Sequence, residues 1–355
     1  MNNANINQYN PDIYAAPGKI LKETIEYMGM SSVELSERTA VSQMIIDGII
    51  QGQAQLTPEI ALKLEIVLDI PAHFWLNLER TYREALARQA EKEQFESQVE
   101  WLKLLPLRAM TELGWIQRCP NKIEQLQELL RFFGIASTET WQNIWEKEPY
   151  NQSPAFQRYP QAVSAWLRQG ERMAQKIECE PYEGSKFQAT LHNLRALTTQ
   201  SPEAFLPEVQ RLCALSGVAV VLVPELPKKI KLSTATRLLA SHKALIQLSE
   251  RYFHSEHFWL IFFQQAGHIL LHSQRKIFLD DALENAERAE AQEFAINQLV
   301  PEAEVAQFLS SQEITPTSIH AFAQRLGIAP GIVIGQLQHR RISLEKKNLM
   351  SPKPA

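Results

Sequence analysis

The chain has 355 residues, and its 36 Lys and Arg against 40 Asp and Glu give a formal charge of −4. It therefore has no overall attraction for phosphate, and any nucleic-acid contact must come from a local patch. The length exceeds one small core and predicts two or three domains. Apolar residues make up 45% of the sequence, yet the longest apolar stretch, near Phe258 to Phe263, falls far short of the ~18 residues of a membrane helix. A soluble, cytoplasmic protein with no membrane partner is expected.

The opening MNNANINQYNPDIYAA is charged only at Asp12. It lacks the basic start and apolar middle of a secretory signal, and residues 1–16 read as a disordered arm. From Pro17 to about Leu86 apolar residues recur at helical spacing in short blocks separated by Gly29, Ser42, Gly52 and Pro71, the pattern of a compact helical bundle. The charged stretch from Glu79 to Leu105 reads as a solvated helix leaving that bundle. Helices continue through Cys213, with Trp101, Trp115, Trp141, Trp145 and Trp166 as core bodies. Cys119, Cys179 and Cys213 are odd in number and never in CxxC spacing, which predicts buried thiols rather than disulfides or a metal site. The β-branched run GVAVVLV at Gly217–Val223 and the alternating ALIQLS at Ala244–Ser249 predict two strands. Ser255–His272 and Glu284–Val300 predict helices, the second stopped by Pro301, and Thr315–Leu337 predicts one or two more. The expected fold is mainly α with a small β-sheet, in the order helix-turn-helix domain (17–80), helical middle region (81–200), C-terminal domain (201–340) and tail (341–355).

Within the bundle, GMSSVELSERTAVSQMIIDGIIQG has the layout of a helix-turn-helix. Ser31 and Glu34 predict a capping box, Ala40 and Val41 the tight turn, and Ser42 the cap of a second helix running to Gly52. With TPEIALKLEIVLDIPAHFWLNLE at its end, the segment from Pro17 to Leu78 resembles the HigA-type antitoxin branch of XRE-like helix-turn-helix proteins. That resemblance implies a homodimer whose second helix enters the major groove. It places Ser42, Gln43, Met44, Ile45, Asp47, Gly48, Gln51 and Gln53 toward DNA. The face carries neither Arg nor Lys for guanine. Between Pro17 and Arg80, 5 basic residues stand against 9 acidic ones, so weak or dimer-dependent binding is expected.

FWLIFFQQAGHILLH, Phe258 to His272, is an apolar helix following a strand. Together with LSGVAVVLVPELP, STATRLL, HKALIQLS, AEAQEFAINQLVP and GIAPGIVIGQLQH, it resembles the ImmA/IrrE family of zincin-like metallopeptidases in the form fused behind HigA-type modules. The resemblance puts the first HExxH histidine at Gln264, the catalytic glutamate at Gln265 and the second histidine at His268. The third ligand falls on Arg288, with Glu287 and Glu290 beside it but facing other directions. Gln265 is a neutral amide and cannot serve as a general base. One imidazole beside a guanidinium is too poor a donor set for zinc. No enzyme activity and no cofactor are expected. A displaced metal pair at His268 and His272, with His254 and His257 upstream, is a weaker alternative. What the resemblance leaves is a cleft between the strand near Ile246 and the helix bearing His268, lined by Arg237 and His272, for a peptide, a ligand or a protein partner such as a toxin or repressor. Three readings follow: a DNA-binding regulator or antitoxin-like protein with an inactive sensor domain, a protein-interaction scaffold with neither activity, and an active zinc peptidase, which the missing residues disfavour.

Overall fold

The computed structural model describes residues 16–146, 153–226, 234–240, 242–253, 257–272, 277–279, 285–311 and 314–339. The arm before residue 16, the tail after 339 and His254 lie outside the described residues. The chain forms two compact units that divide between Val99 and Glu100. No helix among the described residues is long and apolar enough to cross a membrane.

The first unit consists of α1 (Pro17–Tyr27), α2 (Ser32–Thr39), α3 (Gln43–Ile50), α4 (Pro58–Leu68) and α5 (Ala72–Gln98). Its core is Leu21, Ile25, Leu35, Ile46, Ile49, Leu64 and Trp75, residues that recur every three or four positions along their helices. Ser31 caps α2 by accepting from the Glu34 amide at 3.1 Å. The expected capping box is only half formed, because the Glu34 carboxylate turns to Arg38 at 2.6 Å instead of reaching back. Ala40, at φ 51°, ends α2 in the left-handed region. Ser42 stands at the start of α3, but its hydroxyl makes no cap hydrogen bond, contrary to the sequence expectation. Gly18 is required by close approach, since a Cβ there would stand 1.9 Å from the Ile49 carbonyl oxygen. α1 thus lies directly on the backbone end of α3.

The second unit continues with α6 (Leu107–Glu112), α7 (Lys122–Phe133), α8 (Thr138–Trp145), α9 (Pro154–Arg158), α10 (Pro160–Gln175), α11 (Gly184–Leu194) and α12 (Pro202–Ala214). β1 (Val218–Val223), β2 (Thr234–Ala240) and β3 (Lys243–Ser249) follow, then α13 (Phe258–Leu271), β4 (Ile277–Leu279), α14 (Asn285–Leu299), α15 (Glu302–Ser311), α16 (Pro316–Leu326) and α17 (Pro330–His339). The four strands lie in the order β1-β3-β2-β4. β1 runs parallel to β3 with Val220 opposite Ile246, and β2 runs antiparallel to both β3 and β4. The two apolar runs expected as strands are β1 and β3. β2 and β4 are additional: the first is broken by Thr234, Thr236 and Arg237, and the second has 3 residues, too few to show a period. Pro301 ends α14 and at once opens α15, accepting from the Glu304 and Val305 amides.

Strand alternation sends neighbouring side chains to opposite faces of the sheet. Val218, Val220, Ile246 and Leu248 join Phe205, Val209, Phe258, Phe262 and Phe263 in one core cluster beneath α12 and α13. On the other face, the buried Gln247 donates to the Trp166 carbonyl of α10 at 2.8 Å. A Cβ at Gly170 would stand 1.9 Å from the Gln247 Oε1, so the glycine lets α10 settle onto β3. Lys243 donates to the Ala174 carbonyl at 2.7 Å, placing a cation at the negative end of α10.

One carboxylate ties α10 both to α7 and to β2. Glu171 on α10 accepts from Arg168 at 2.6 Å and from Arg237 on β2, with the three side chains only 9%, 19% and 20% exposed. Arg168 also donates to the Phe132 carbonyl at the end of α7, at 3.1 Å. Arg172, stacked over the Phe132 ring at 4.8 Å, donates to the Trp115 carbonyl at 3.1 Å. Trp115, Trp141, Trp145 and Trp166 are buried as expected, whereas Trp101 is half-buried against Phe133 and Trp141. Of the thiols, only Cys213 is buried; Cys119 and Cys179 are half-exposed, which corrects the expectation for those two. Replacing Glu171 with Ala strands two largely buried guanidinium groups, a change that costs about 3–5 kcal/mol. The expected outcome is a clearly lowered urea midpoint in tryptophan fluorescence; an unchanged midpoint would show that water solvates this triad.

Candidate functional site

The outward face of α3 is set by its inward one. Ile46 and Ile49 are buried at 0% and 1% exposure, and helical geometry turns the residues between them away. Ser42, Gln43, Met44, Ile45, Gln51 and Gln53 are exposed, Met44 to 81%, while Asp47 and Gly48 are half-buried. Gln55, which the sequence reading did not single out, is also exposed in the loop after α3. It falls in a Gln-x-Gln-x-Gln spacing with Gln51 and Gln53 that was visible in the sequence.

Several cations of the first unit are tied to carboxylates on their own helices. Lys22 pairs with Glu26 at 3.8 Å, Arg38 with Glu34 at 2.6 Å and Lys63 with Glu59 at 3.3 Å, each pair four residues apart. Arg83 pairs with Glu79 at 2.7 Å in the same way.

In the second unit, the polar positions on α13 meet groups from β2 and α14. Gln265 is 2% exposed and its Oε1 accepts from the Thr236 hydroxyl at 2.6 Å. Gln264 is half-buried. His268 is fully buried, and its Nδ1 lies 3.3 Å from the Nδ1 of His272. The other nitrogen of His272 lies 3.0 Å from the Glu290 carboxylate on α14. Gly267 allows this approach, because a Cβ there would stand 2.9 Å from the Phe294 ring. Arg288 on α14 is half-buried. Burial first, then His272 and the Arg288 charge, push the His268 pKa down to about 3. Its imidazole is neutral across the physiological range.

The structure thus brings Gln265, His268, His272, Glu290 and Arg288 into one neighbourhood and adds Thr236, which the sequence reading did not include. It separates Arg237 from them. Thr236 points to α13 and its neighbour Arg237 to Glu171 on α10, so Arg237 lies on the opposite face of the sheet and does not line a cleft beside His268. Glu290 faces His272. His257 stands at the N-terminal cap of α13, roughly 16 Å along the helix from His268 at 1.5 Å per residue, too far to share an ion with it. An amide held by a hydroxyl, and an imidazole whose protonation is opposed by a neighbouring guanidinium, do not fit a zinc centre. Among the described residues no group of three or more His, Cys, Asp or Glu is placed to hold a metal ion.

Comparison with known proteins bears on the first unit. No family model matches the chain. The uncharacterized HTH-type transcriptional regulator YddM of Escherichia coli K12 is 32% identical over 76 residues, which is 21% of this chain and 78% of the relative. The chain belongs to the helix-turn-helix-type transcriptional regulators. This membership rests on its N-terminal segment. Among solved structures, an addiction-module antidote protein of the HigA family from Coxiella burnetii is 27% identical, with 24% of this chain and 92% of that chain covered at a TM-score of 0.22. The Pseudomonas aeruginosa antitoxin HigA with the higBA promoter is 29% identical, with 24% and 92% covered at a TM-score of 0.22.

The buried His268 makes folding pH-dependent. Its pKa falls from 6.5 to about 3 on folding, so the unfolded chain takes up the proton first. The contribution is fully present above pH 6.5 and is lost progressively as pH drops toward 3, with a slope of up to about 1.4 kcal/mol per pH unit. A His268→Asn variant should show a flatter stability profile than the parent between pH 7 and pH 5 in urea titrations. Parallel profiles would mean that the imidazole is solvated.

Proposed function

We propose that the protein is a DNA-binding transcriptional regulator of antitoxin-like type, acting as a homodimer. In this reading α3 engages the major groove, and the second unit is a catalytically inert peptidase-like domain that receives a peptide, toxin or repressor. The observation that carries the proposal is the exposure of Gln43, Met44 and Ile45 on α3 and of Gln51 just after it, in a segment related to a helix-turn-helix regulator. The α2–turn–α3 unit has the geometry in which a second helix enters the groove N-terminal end first.

Binding should depend on few phosphate contacts, because Lys22, Arg38 and Lys63 already have carboxylate partners. Each phosphate contact contributes about −0.9 to the slope of log affinity against log salt. For the full chain on duplex DNA, fluorescence anisotropy across a salt series should give a slope shallower than about −4. The ion pairs also favour a second reading, an interaction scaffold without DNA binding. Failure to retain any duplex at low salt would put the scaffold in place of the regulator.

The inertness of the second unit follows from its donors. Gln265 has no carboxylate to take a proton from water, and its carbonyl is held by Thr236. His268 has the guanidinium of Arg288 near it, where the zincin pattern requires a third ligand. Elemental analysis of purified protein should find zinc well below one equivalent. A stoichiometric zinc together with chelator-sensitive cleavage of a polypeptide would overturn this part of the reading.

A further inference from the structure

We propose that the α3 face selects A·T base pairs: glutamine amides read adenine, and Met44 and Ile45 pack on thymine methyl groups. The inference rests on the reading of α3 as a major-groove helix and adds the base chemistry that it recognises.

The argument is one of complementary groups. In the major groove guanine offers two acceptors, which Arg or Lys reads; adenine offers an acceptor and an amino donor, which Gln matches with both ends of its amide; thymine adds a methyl that takes apolar contact. From Ser42 to Gln55 there is no Arg or Lys, so the cationic reading of guanine is missing from α3 and the loop after it. Outside it, Lys22, Arg38 and Lys63 pair with Glu26, Glu34 and Glu59, and Lys19 on α1 is exposed, so the cations of α1, α2 and α4 flank α3 rather than forming part of it. In their place the exposed positions supply the amides of Gln43, Gln51, Gln53 and Gln55.

Met44 and Ile45 are the second observation. They sit in the first turn of α3 at 81% and 37% exposure, while the core takes Ile46 and Ile49 from the same helix. The first turn is the part of a recognition helix that reaches base edges. An unbranched thioether side chain in water loses little by leaving it and adapts to an irregular apolar surface; a row of 5-methyl groups is such a surface. Asp47 is neutral toward this selection. Its carboxylate only accepts, so it can meet the amino group of adenine or cytosine but neither acceptor edge of guanine.

The test is a selection from random duplexes with the full-length chain at low salt. The retained pool should be enriched in A·T pairs at the protected positions. On a selected duplex, replacing thymine by uracil deletes only the methyl group and should weaken binding about fourfold per contacted base. Gln43→Ala should weaken it at least about fivefold. Met44→Ala should abolish the uracil effect at its own position, and Met44→Arg should shift the selected base there to guanine. A pool rich in G·C at the contacted positions, or a uracil effect that is absent in the parent or unchanged in Met44→Ala, overturns the inference while leaving DNA binding in place. A pool indistinguishable from the input, with no duplex retained, overturns the DNA-binding reading beneath it.

Discussion

In the second unit one carboxylate joins three elements. Glu171 has two oxygens, and each is given to a different guanidinium, Arg168 from its own helix and Arg237 from β2. Through Arg168 the connection extends to the carbonyl end of α7. A helical region that the sequence presents as a spacer is thereby fastened to the sheet. An acid with two bases leaves one positive charge in excess, in a place where water has limited access. The exposed sides of Arg168 and Arg237 and the α7 carbonyl share it, so the arrangement holds only while all three partners stay in register.

In the first unit the chemistry is divided by helix face. The same eight residues of α3 supply two of the innermost core isoleucines and, facing outward, one amide, a thioether and a third isoleucine. The backbone contact of Gly18 on the Ile49 carbonyl fixes the rotation of α3 from behind. Intrahelical pairing takes up several cations of the unit: Glu26, Glu34, Glu59 and Glu79 each stand four residues from a cation and support their own helices. What the helix offers outward is therefore hydrogen-bonding and apolar contact more than charge.

Much of this was legible beforehand, and the gaps have physical causes. Helical periodicity found the bundle and the α13 segment, and the β-branched runs found β1 and β3. β2 was missed because Thr234, Thr236 and Arg237 interrupt its apolar character. Without that strand, Arg237 and Thr236 could not be sent to opposite faces, and Arg237 was placed beside His268 although it lies on the α10 side of the sheet. Gln264 and Gln265 were recognisable as departures from an HExxH pattern that His268 keeps, but Thr236 as the partner of the Gln265 amide depends on register, which no local pattern encodes. The half-formed capping box at Ser31 shows the same limit at short range: Glu34 had two partners within reach, its own helix start and Arg38, and the charged one won.

The wiring of the second unit also sets an order of assembly on the ribosome. Its fastenings join residues far apart in the chain: Arg237 to Glu171, Gln247 to Trp166, Gln336 to the Ile296 carbonyl, and the Ala329 amide to Thr198. The first unit needs only contacts among neighbouring helices and closes early, while synthesis of the rest takes tens of seconds. During that interval the middle helices emerge with no sheet to cover α10. Nascent chains stalled before β3 would carry a finished reading head on an unfinished, adhesive body, which makes this stretch of translation the stage most in need of chaperone cover.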